Sequence, residues 1–221
     1  MENSNSTEES DSESDMSFKV IMIGKYGVGK SSLFRRFMKQ GYSGAITRKD
    51  TIGMDHYKRT FIIDGHDIKV TMWDTGGMER ASLTGGYYRQ ADGVILCFSL
   101  TDPESFNCLS QSMLEVAMYC SVSKLFICGT KVDEISRDHD PHSLVTEDDI
   151  EIFKAQCGDE VVGGVYQVSA KTGAGVEEMF DDVARVLRDE LDQKRREISR
   201  IRLGAELNEG VPSENKKTCA C

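Results

Sequence analysis

A glycine-rich run at residues 24–31, GKYGVGKS, has the composition of a phosphate-binding loop. It lies between an apolar segment at 18–23 and an amphipathic helical pattern at 32–38. A strand that ends at Gly24 and a helix that begins near Lys30 leave backbone N–H groups that phosphate oxygens can accept. Lys30 would reach the β- and γ-phosphates, and the Ser31 hydroxyl would bind a bridging Mg²⁺. The alternative, a chance glycine-rich turn, is disfavoured because strand, motif and helix agree.

A second phosphate-contacting motif is predicted at residues 74–77, DTGG, directly after a strand pattern at 67–73. The carboxylate of Asp74 would face the Mg²⁺ through water. The backbone N–H of Gly77 would contact the γ-phosphate. This pair of loops therefore predicts binding of a nucleotide with its metal.

Two motifs indicate which base is bound. TKVD at residues 130–133 follows an apolar strand at 125–128, and SAK at 169–171 follows a strand that ends at residue 168. An aspartate at such a position, Asp133, can accept hydrogen bonds from N1–H and the 2-amino group of guanine, whereas adenine offers no such pair of donors. The Lys131 stem would cover a ring face and the Ala170 N–H would meet O6. The motifs predict guanine.

The elements that position these loops alternate between strands and helices. Strands are predicted over 18–23, 57–63, 67–73, 94–98, 125–128 and 164–168, the second and third forming a hairpin. Helices are predicted over 103–119, 146–156 and about 176–203. The alternation predicts an α/β fold, a doubly wound, mainly parallel six-stranded sheet with helices on both faces and the ligand at the carboxyl ends of the strands.

Composition separates the chain ends from this domain. The net charge of −10 argues against a nucleic-acid partner. Residues 1–16 are predicted to be a disordered, acidic, serine-rich extension, 17–203 the domain, and 204–221 a flexible tail.

Because neither a signal peptide nor a long apolar run is present, the predicted compartment is the cytosol. Cys97, Cys128 and Cys120 lie in apolar segments and are predicted to be buried free thiols.

Five further spaced motifs carry a family resemblance: IGMD at 52–55, the strand ending at Trp73, YYR at 87–89, ADG at 91–93 and ESFN at 104–107. With them, residues 17–203 resemble the Rab family of small GTPases in the Ras superfamily. The ending Cys219-Ala220-Cys221 resembles the family's double geranylgeranylation signal. Taken alone, such a pair could equally be a metal or redox pair.

The resemblance implies roles for individual residues. Lys30, Thr51 and Gly77 would be catalytic, Ser31, Thr51 and Asp74 would serve the metal, and Cys219 and Cys221 would be lipidated. The nucleotide-binding residues would be Gly27, Val28, Gly29, Lys30, Ser31, Ser32, Tyr42, Thr51, Gly77, Thr130, Lys131, Asp133, Ser169, Ala170 and Lys171. The γ-phosphate would order residues 41–57 and 76–90, two switch regions that effectors read.

Several positions depart from the family pattern. Met78 replaces the glutamine that orients the attacking water, and Tyr26 replaces a small residue where an activating protein inserts an arginine finger. Thr130 replaces an asparagine, a change also found in the Rho branch. His56 replaces an aromatic residue that, with Trp73 and Tyr88, forms an effector-facing cluster, so it is either a partly exposed strand residue or a change in partner specificity. His139 and His142 suggest either a solvated loop or a metal site.

The expected function is a Rab-like switch that binds GTP and GDP with Mg²⁺, hydrolyses GTP slowly and recruits effectors in vesicle-mediated protein transport. Expected partners are effectors, an exchange factor, an activating protein and an escort for the prenylated form, and the chain is expected to be a monomer. Two prenyl groups would hold it on the cytoplasmic face of an endomembrane or the plasma membrane, with an escorted cytosolic pool. The alternatives are a hydrolysis-deficient, GTP-loaded scaffold and, more remotely, a small-molecule kinase.

Overall fold

The computed structural model describes residues 16–39, 55–74, 85–120, 124–136 and 143–209, with the backbone alone at residue 55 and residues 203–209. Within these ranges a sheet of six strands runs through the molecule in the order β2-β3-β1-β4-β5-β6. The strands are β1 (Met16–Ile23), β2 (Asp55–Ile63), β3 (His66–Asp74), β4 (Gly93–Ser99), β5 (Lys124–Thr130) and β6 (Val162–Gln167). Only the β2–β3 pair is antiparallel among them.

Helices cover both faces of this sheet, which confirms the predicted α/β fold. They are α1 (Lys30–Phe37), α2 (Gly85–Tyr88), α3 (Pro103–Asn107), α4 (Leu109–Tyr119), α5 (Glu147–Cys157) and α6 (Val176–Glu209). On one face, side chains of α1 and α6 pack with the strands into one core cluster. On the other, α2, α4 and α5 contribute to a second cluster. A parallel sheet buries both faces, which is why β4 is apolar throughout.

The predicted hairpin is present, and its turn explains its register. Asp64 and Gly65 have φ values of 51° and 83°. Two consecutive left-handed residues match the twist of the flanking strands. Ile63 therefore pairs with His66, and the pairing continues to Asp55 opposite Asp74.

Helix ends follow the predicted caps more closely than the predicted lengths. The Asp102 side chain accepts a hydrogen bond from the Ser105 N–H, and Thr146 with Asp149 forms a capping box. The helix predicted over 103–119 is divided at Cys108 into α3 and α4. The last helix continues to Glu209, six residues beyond its predicted end. In the described parts of the chain, no helix combines the length and apolarity needed to cross a bilayer.

Tyr87 of α2 ties the second face to the middle of the sheet. Its side chain is 1% exposed. The hydroxyl accepts a hydrogen bond from the Met22 N–H at 3.2 Å and lies 3.0 Å from the carbonyl oxygens of both Met22 and Trp73. Burial raises the pKa of this phenol well above its usual value. The hydroxyl therefore stays protonated and can donate to either carbonyl, which joins α2 to β1 and β3.

We expect Tyr87→Phe to lower the free energy of unfolding by about 1–3 kcal/mol, because buried polar groups of Met22 and Trp73 lose their partner. Urea denaturation followed by circular dichroism would measure the change. Tyr57→Phe is the matched control, since Tyr57 is 43% exposed and water can replace its hydroxyl contacts. Equal effects of the two substitutions would contradict the role given to Tyr87.

Candidate functional site

The predicted phosphate-binding loop connects β1 to α1 as expected. Gly24, Gly27 and Gly29 have φ values of 150°, 84° and 108°, a region that favours glycine. Lys30 is 4% exposed, and its Nζ donates to the carbonyl oxygens of Gly24 at 2.7 Å and Lys25 at 3.0 Å. The loop backbone thus holds the ammonium group beside the first N–H groups of α1, where an anion is favoured.

Asp74 reaches this loop through the strand order. It ends β3, which pairs with β1 so that Trp73 lies opposite Ile21. Its side chain is 1% exposed. The structure therefore places a buried carboxylate at the same end of the sheet as the loop and as Ser31. This is a hard oxygen donor set, of the kind that suits Mg²⁺.

Thr130 connects the phosphate-binding loop to the predicted base-binding loop. Its buried hydroxyl lies 2.5 Å from the carbonyl oxygen of Val28 and 2.8 Å from that of Phe98. The single hydroxyl proton can be donated to either carbonyl. The sequence assigned Thr130 to base recognition without this contact, because nothing in the sequence places residue 28 next to residue 130.

The base-binding residues converge at the ends of β5 and β6. Lys131 has a left-handed conformation, φ 63°, which turns the chain into a short 3₁₀ segment, Val132–Glu134. The Ser169 hydroxyl donates to Asp133 at 2.5 Å, and the Lys171 ammonium lies 3.6 Å from the other oxygen of the same carboxylate. These contacts fix the orientation of Asp133. The predicted association of residues 130–133 with 169–171 is therefore present.

Arg36 of α1 holds the loop that contains Ala170 and Lys171, a contact that the sequence did not predict. Its Nε donates to the Ala170 carbonyl at 2.6 Å, and its Nη2 donates to the Lys171 carbonyl at 2.7 Å. The guanidinium group thereby fastens the loop after β6 to the helix that follows the phosphate-binding loop. The sequence held no signal for this contact beyond a basic residue on an amphipathic helix.

Tyr26 stands at the mouth of the loop and is 49% exposed. The preceding Lys25 is turned away from it by two acidic residues near α3, since its Nζ lies 2.8 Å from Glu104 and 3.6 Å from Asp102. The hydrogen bond to Glu104 raises the pKa of the Lys25 ammonium. Tyr26 is thus a large, half-exposed aromatic side chain in the predicted phosphate-binding loop.

His56, Trp73 and Tyr88, the residues of the expected cluster, differ in exposure, and Trp73 packs against the core cluster that contains Tyr88. The rings of His56 and Trp73 stack at 4.7 Å with an interplanar angle of 19°. Tyr88 instead is 1% exposed, and its hydroxyl donates to Glu115 of α4 at 2.7 Å. The other face of the pair involves Lys19, whose Nζ lies 4.9 Å from the centroid of the Trp73 ring. A cation therefore lies close to the partly buried Trp73 ring, which the sequence did not predict.

Several predicted residues lie outside the described part of the chain. They are Tyr42, Thr51, Gly77, Met78, His139, His142, Cys219 and Cys221. Within the described ranges there is no cluster of three or more histidine, cysteine or acidic residues arranged to bind a metal. Cys97 and Cys128 are buried free thiols, as predicted, while Cys120 is only partly buried.

Comparison with known proteins agrees with this geometry. A model of the Ras family matches residues 19–189. The chain is 37% identical over 183 residues to the Ras-related protein Rab-1D of Dictyostelium discoideum. This match covers 81% of the chain and 83% of the relative. It is 30% identical over 212 residues to the GTP-binding protein ypt1 of Schizosaccharomyces pombe, covering 95% and 98%. For the Ras-related protein RABD2c of Arabidopsis thaliana the identity is 39% over 171 residues, covering 76% and 79%. The chain therefore belongs to the Ras family of small GTPases, among its Rab and Ypt members.

Proposed function

We propose that this chain is a guanine-nucleotide switch that binds GTP and GDP with Mg²⁺ at the carboxyl ends of β1, β3, β5 and β6. One observation carries the proposal. The Lys30 ammonium, the Asp74 carboxylate and the Asp133–Ser169 pair, which suit phosphate, metal and guanine respectively, lie at one edge of the sheet. Ligands of open α/β sheets bind at that edge.

At the phosphate end, the chain supplies positive charge and backbone donors. Lys30 would exchange its contacts with the Gly24 and Lys25 carbonyls for the β- and γ-phosphates. Backbone N–H groups of residues 27–32 would surround the phosphates. Ser31 and Thr51 would hold a Mg²⁺, with Asp74 next to it, and the ion would neutralise charge on the phosphates. Gly77 would contact the γ-phosphate through its N–H.

At the base end, the fixed carboxylate of Asp133 selects for guanine. Ser169 and Lys171 hold it, so its remaining lone pairs can accept from N1–H and the 2-amino group. Lys131, Ala170 and Tyr42 complete the proposed base site, with Thr130 linking it to the phosphate end. Arg36 secures the carbonyl side of the Ala170 loop.

We propose slow hydrolysis because of two residues at the γ-phosphate end. A methionine thioether at position 78 has no donor and is only a weak acceptor, so it lacks the amide donor and strong acceptor that orient a water molecule. Tyr26 is half exposed at the loop and would crowd a finger inserted by an activating protein. Lys30, Thr51 and Gly77 would still stabilise charge in the transition state. A GTP-loaded scaffold with negligible hydrolysis is the second candidate, favoured by the same two residues.

Membrane recruitment follows from the chain end and the family. The chain is similar to Rab and Ypt proteins, and from this family membership we infer prenylation at Cys219 and Cys221 and a role in vesicle-mediated protein transport. Two prenyl chains hold a protein on a bilayer, whereas one gives marginal attachment. The proposed location is the cytoplasmic face of an endomembrane or the plasma membrane. The proposed partners are effectors, an exchange factor, an activating protein and an escort.

The first prediction concerns hydrolysis. The double substitution Tyr26→Gly with Met78→Gln should raise single-turnover phosphate release at least about ten-fold, because the attacking water regains a group that can orient it. Release from the protein preloaded with radiolabelled GTP and Mg²⁺ measures the effect, and Met78→Leu is the control. If the double variant and the unaltered protein release phosphate at the same rate, the account of these positions fails.

The second prediction concerns base selection. Asp133→Asn replaces one acceptor by a donor, so affinity for GTP should fall by ~100-fold or more while affinity for xanthosine triphosphate rises. Competition against a fluorescent GDP analogue would measure both. Glu134→Gln is the neighbouring control, because Glu134 is exposed and accepts from Thr101 instead. If the Asp133→Asn variant keeps the base preference of the unaltered protein, Asp133 does not recognise the base.

The third prediction concerns the link between the loops. Thr130→Val keeps the side-chain shape but removes the hydroxyl that contacts the Val28 and Phe98 carbonyls, so GDP should dissociate about ten-fold faster. Thr130→Ser retains the hydroxyl and should dissociate like the unaltered protein. Stopped-flow release of the labelled nucleotide gives the rates. Faster GDP release from Thr130→Ser, with release from Thr130→Val unchanged, would point to the methyl group instead.

A further inference from the structure

The end of α6 carries a local charge opposite to that of the whole chain. Residues 194–202 contain five basic residues and one acidic residue, although the formal net charge of the protein is −10. This part of the helix lies beyond Leu191, the last of the described side chains of α6 that packs against the core. It is therefore a basic segment that the hydrophobic core does not explain.

The basic residues and two apolar residues share one side of the helix. Successive residues are turned by about 100°, which places Lys194, Arg195, Ile198, Ile201 and Arg202 within an arc of about 120°, named here the basic face. The neighbouring carboxylates lie outside the arc and are those of Glu190, Asp192 and Glu197. Ile198 is 50% exposed and Ile201 66% exposed. The face therefore has both apolar area and positive charge, although Glu190, 3.4 Å from Lys194, offsets part of that charge.

The direction of α6 determines where this face lies. The helix begins close to the carboxyl end of β6, since Gly175 lies against the Gln167 carbonyl. It reaches the amino ends of the strands by Glu190, which pairs with Lys124, the first residue of β5, at 3.2 Å. Beyond Leu191 about 18 residues continue for roughly 27 Å. The basic face therefore extends past the amino ends of the central strands.

The chain's amino-terminal segment enters the domain at the same place. β1 begins at Met16, while its pairing with β4 begins only at Val20. Met16 and Leu191 both pack against the same core cluster. The Asp92 carboxylate accepts from the Lys19 N–H at 2.7 Å. Burial raises the pKa of Asp92, and the nearby charges of Lys194 and Lys19 partly offset that effect. Asp92 thus brings Lys19 of β1 near Lys194, the first residue of the basic face.

We propose that residues 1–15 of this chain bind across the basic face of α6. That segment holds six acidic residues and no lysine or arginine. Fifteen extended residues can span about 50 Å, whereas the face from Lys194 to Arg202 is about 12 Å long. The occupant is thus tethered next to its site, which gives a high effective concentration, and its charge is complementary.

A flat bilayer fits the basic face less well than a narrow peptide. Leu187 and Leu191 lie on the same side of α6 and pack against the body of the domain. A bilayer that covered the basic face would have to occupy the space next to that body. A second copy presenting the same face would bring Lys194, Arg195 and Arg202 against like charges. An extended acidic segment of the same chain meets neither obstacle.

Hydrogen exchange of the full-length, unprenylated protein tests the proposal. Neutralising all six acidic residues of the segment, Glu→Gln and Asp→Asn, should speed amide exchange across residues 194–205 by about three-fold or more, because the bound segment protects the exposed helix. Added 0.5 M NaCl should have a similar effect on the unaltered protein, since it screens the attraction. Tryptic cleavage after Lys194, Arg195 and Arg202 should accelerate in parallel.

Matched helix variants separate binding from helix stability. The triple variant Lys194→Gln, Arg195→Gln, Arg202→Gln should reproduce the faster exchange. The control variant Arg196→Gln, Arg200→Gln, changed on the opposite side of the helix, should not. Glutamine has a helix propensity similar to that of lysine and arginine, so helix stability is matched at all five positions. If the variant with the neutralised segment and the unaltered protein exchange at the same rate, the proposal is overturned. Retention of the unaltered basic face on phosphatidylserine vesicles would then assign it to a lipid surface. None of these readouts depends on GTP hydrolysis.

Discussion

The close approach of β1 to β4 at the start of the phosphate-binding loop constrains the rest of the site. A Cβ at Gly24 would lie 2.0 Å from the carbonyl oxygen of Cys97, so the chain can leave β1 along this path only with glycine there. The path turns the Gly24 carbonyl towards Lys30, and this carbonyl accepts a hydrogen bond from the Lys30 ammonium group. The position of the lysine thus depends on backbone packing between two buried strands.

From that point, contacts to main-chain carbonyls hold the two ends of the site together. Thr130 contacts the Val28 carbonyl, and Arg36 contacts the carbonyls of Ala170 and Lys171. These contacts connect the predicted phosphate-binding loop and its helix to both predicted base-binding loops. Such coupling suits a switch in which phosphate contacts and base affinity must change together. It also explains why substituting a residue of one loop is expected to alter nucleotide release, even though the loop that it contacts lies far away in the sequence.

The helix α6 combines two different surfaces along one length. Its first half packs Met179, Phe180 and Val183 into the core. Its second half leaves the domain with exposed isoleucines and basic residues, close to the entry of an acidic segment. The charge of the chain is thus unevenly distributed, with opposite signs at the two places where the ends meet the domain. In an acidic protein, this local contrast has more bearing on association than the net charge does.

The motifs alone indicated the fold class, the family and the loops that contain the site, because glycine spacing, apolar strand runs and a helix cap are local properties. Residues such as Lys30 and Asp133 could be chosen for the same reason, since each follows a strand at a recognisable offset. The contacts of Thr130 with Val28 and of Arg36 with Lys171 could not be chosen in this way, because they join residues that are 102 and 135 positions apart. The same applies to the hydrogen bond that Tyr88 donates to Glu115 of α4. Such contacts depend on strand order and helix placement, which arise from packing over the whole domain.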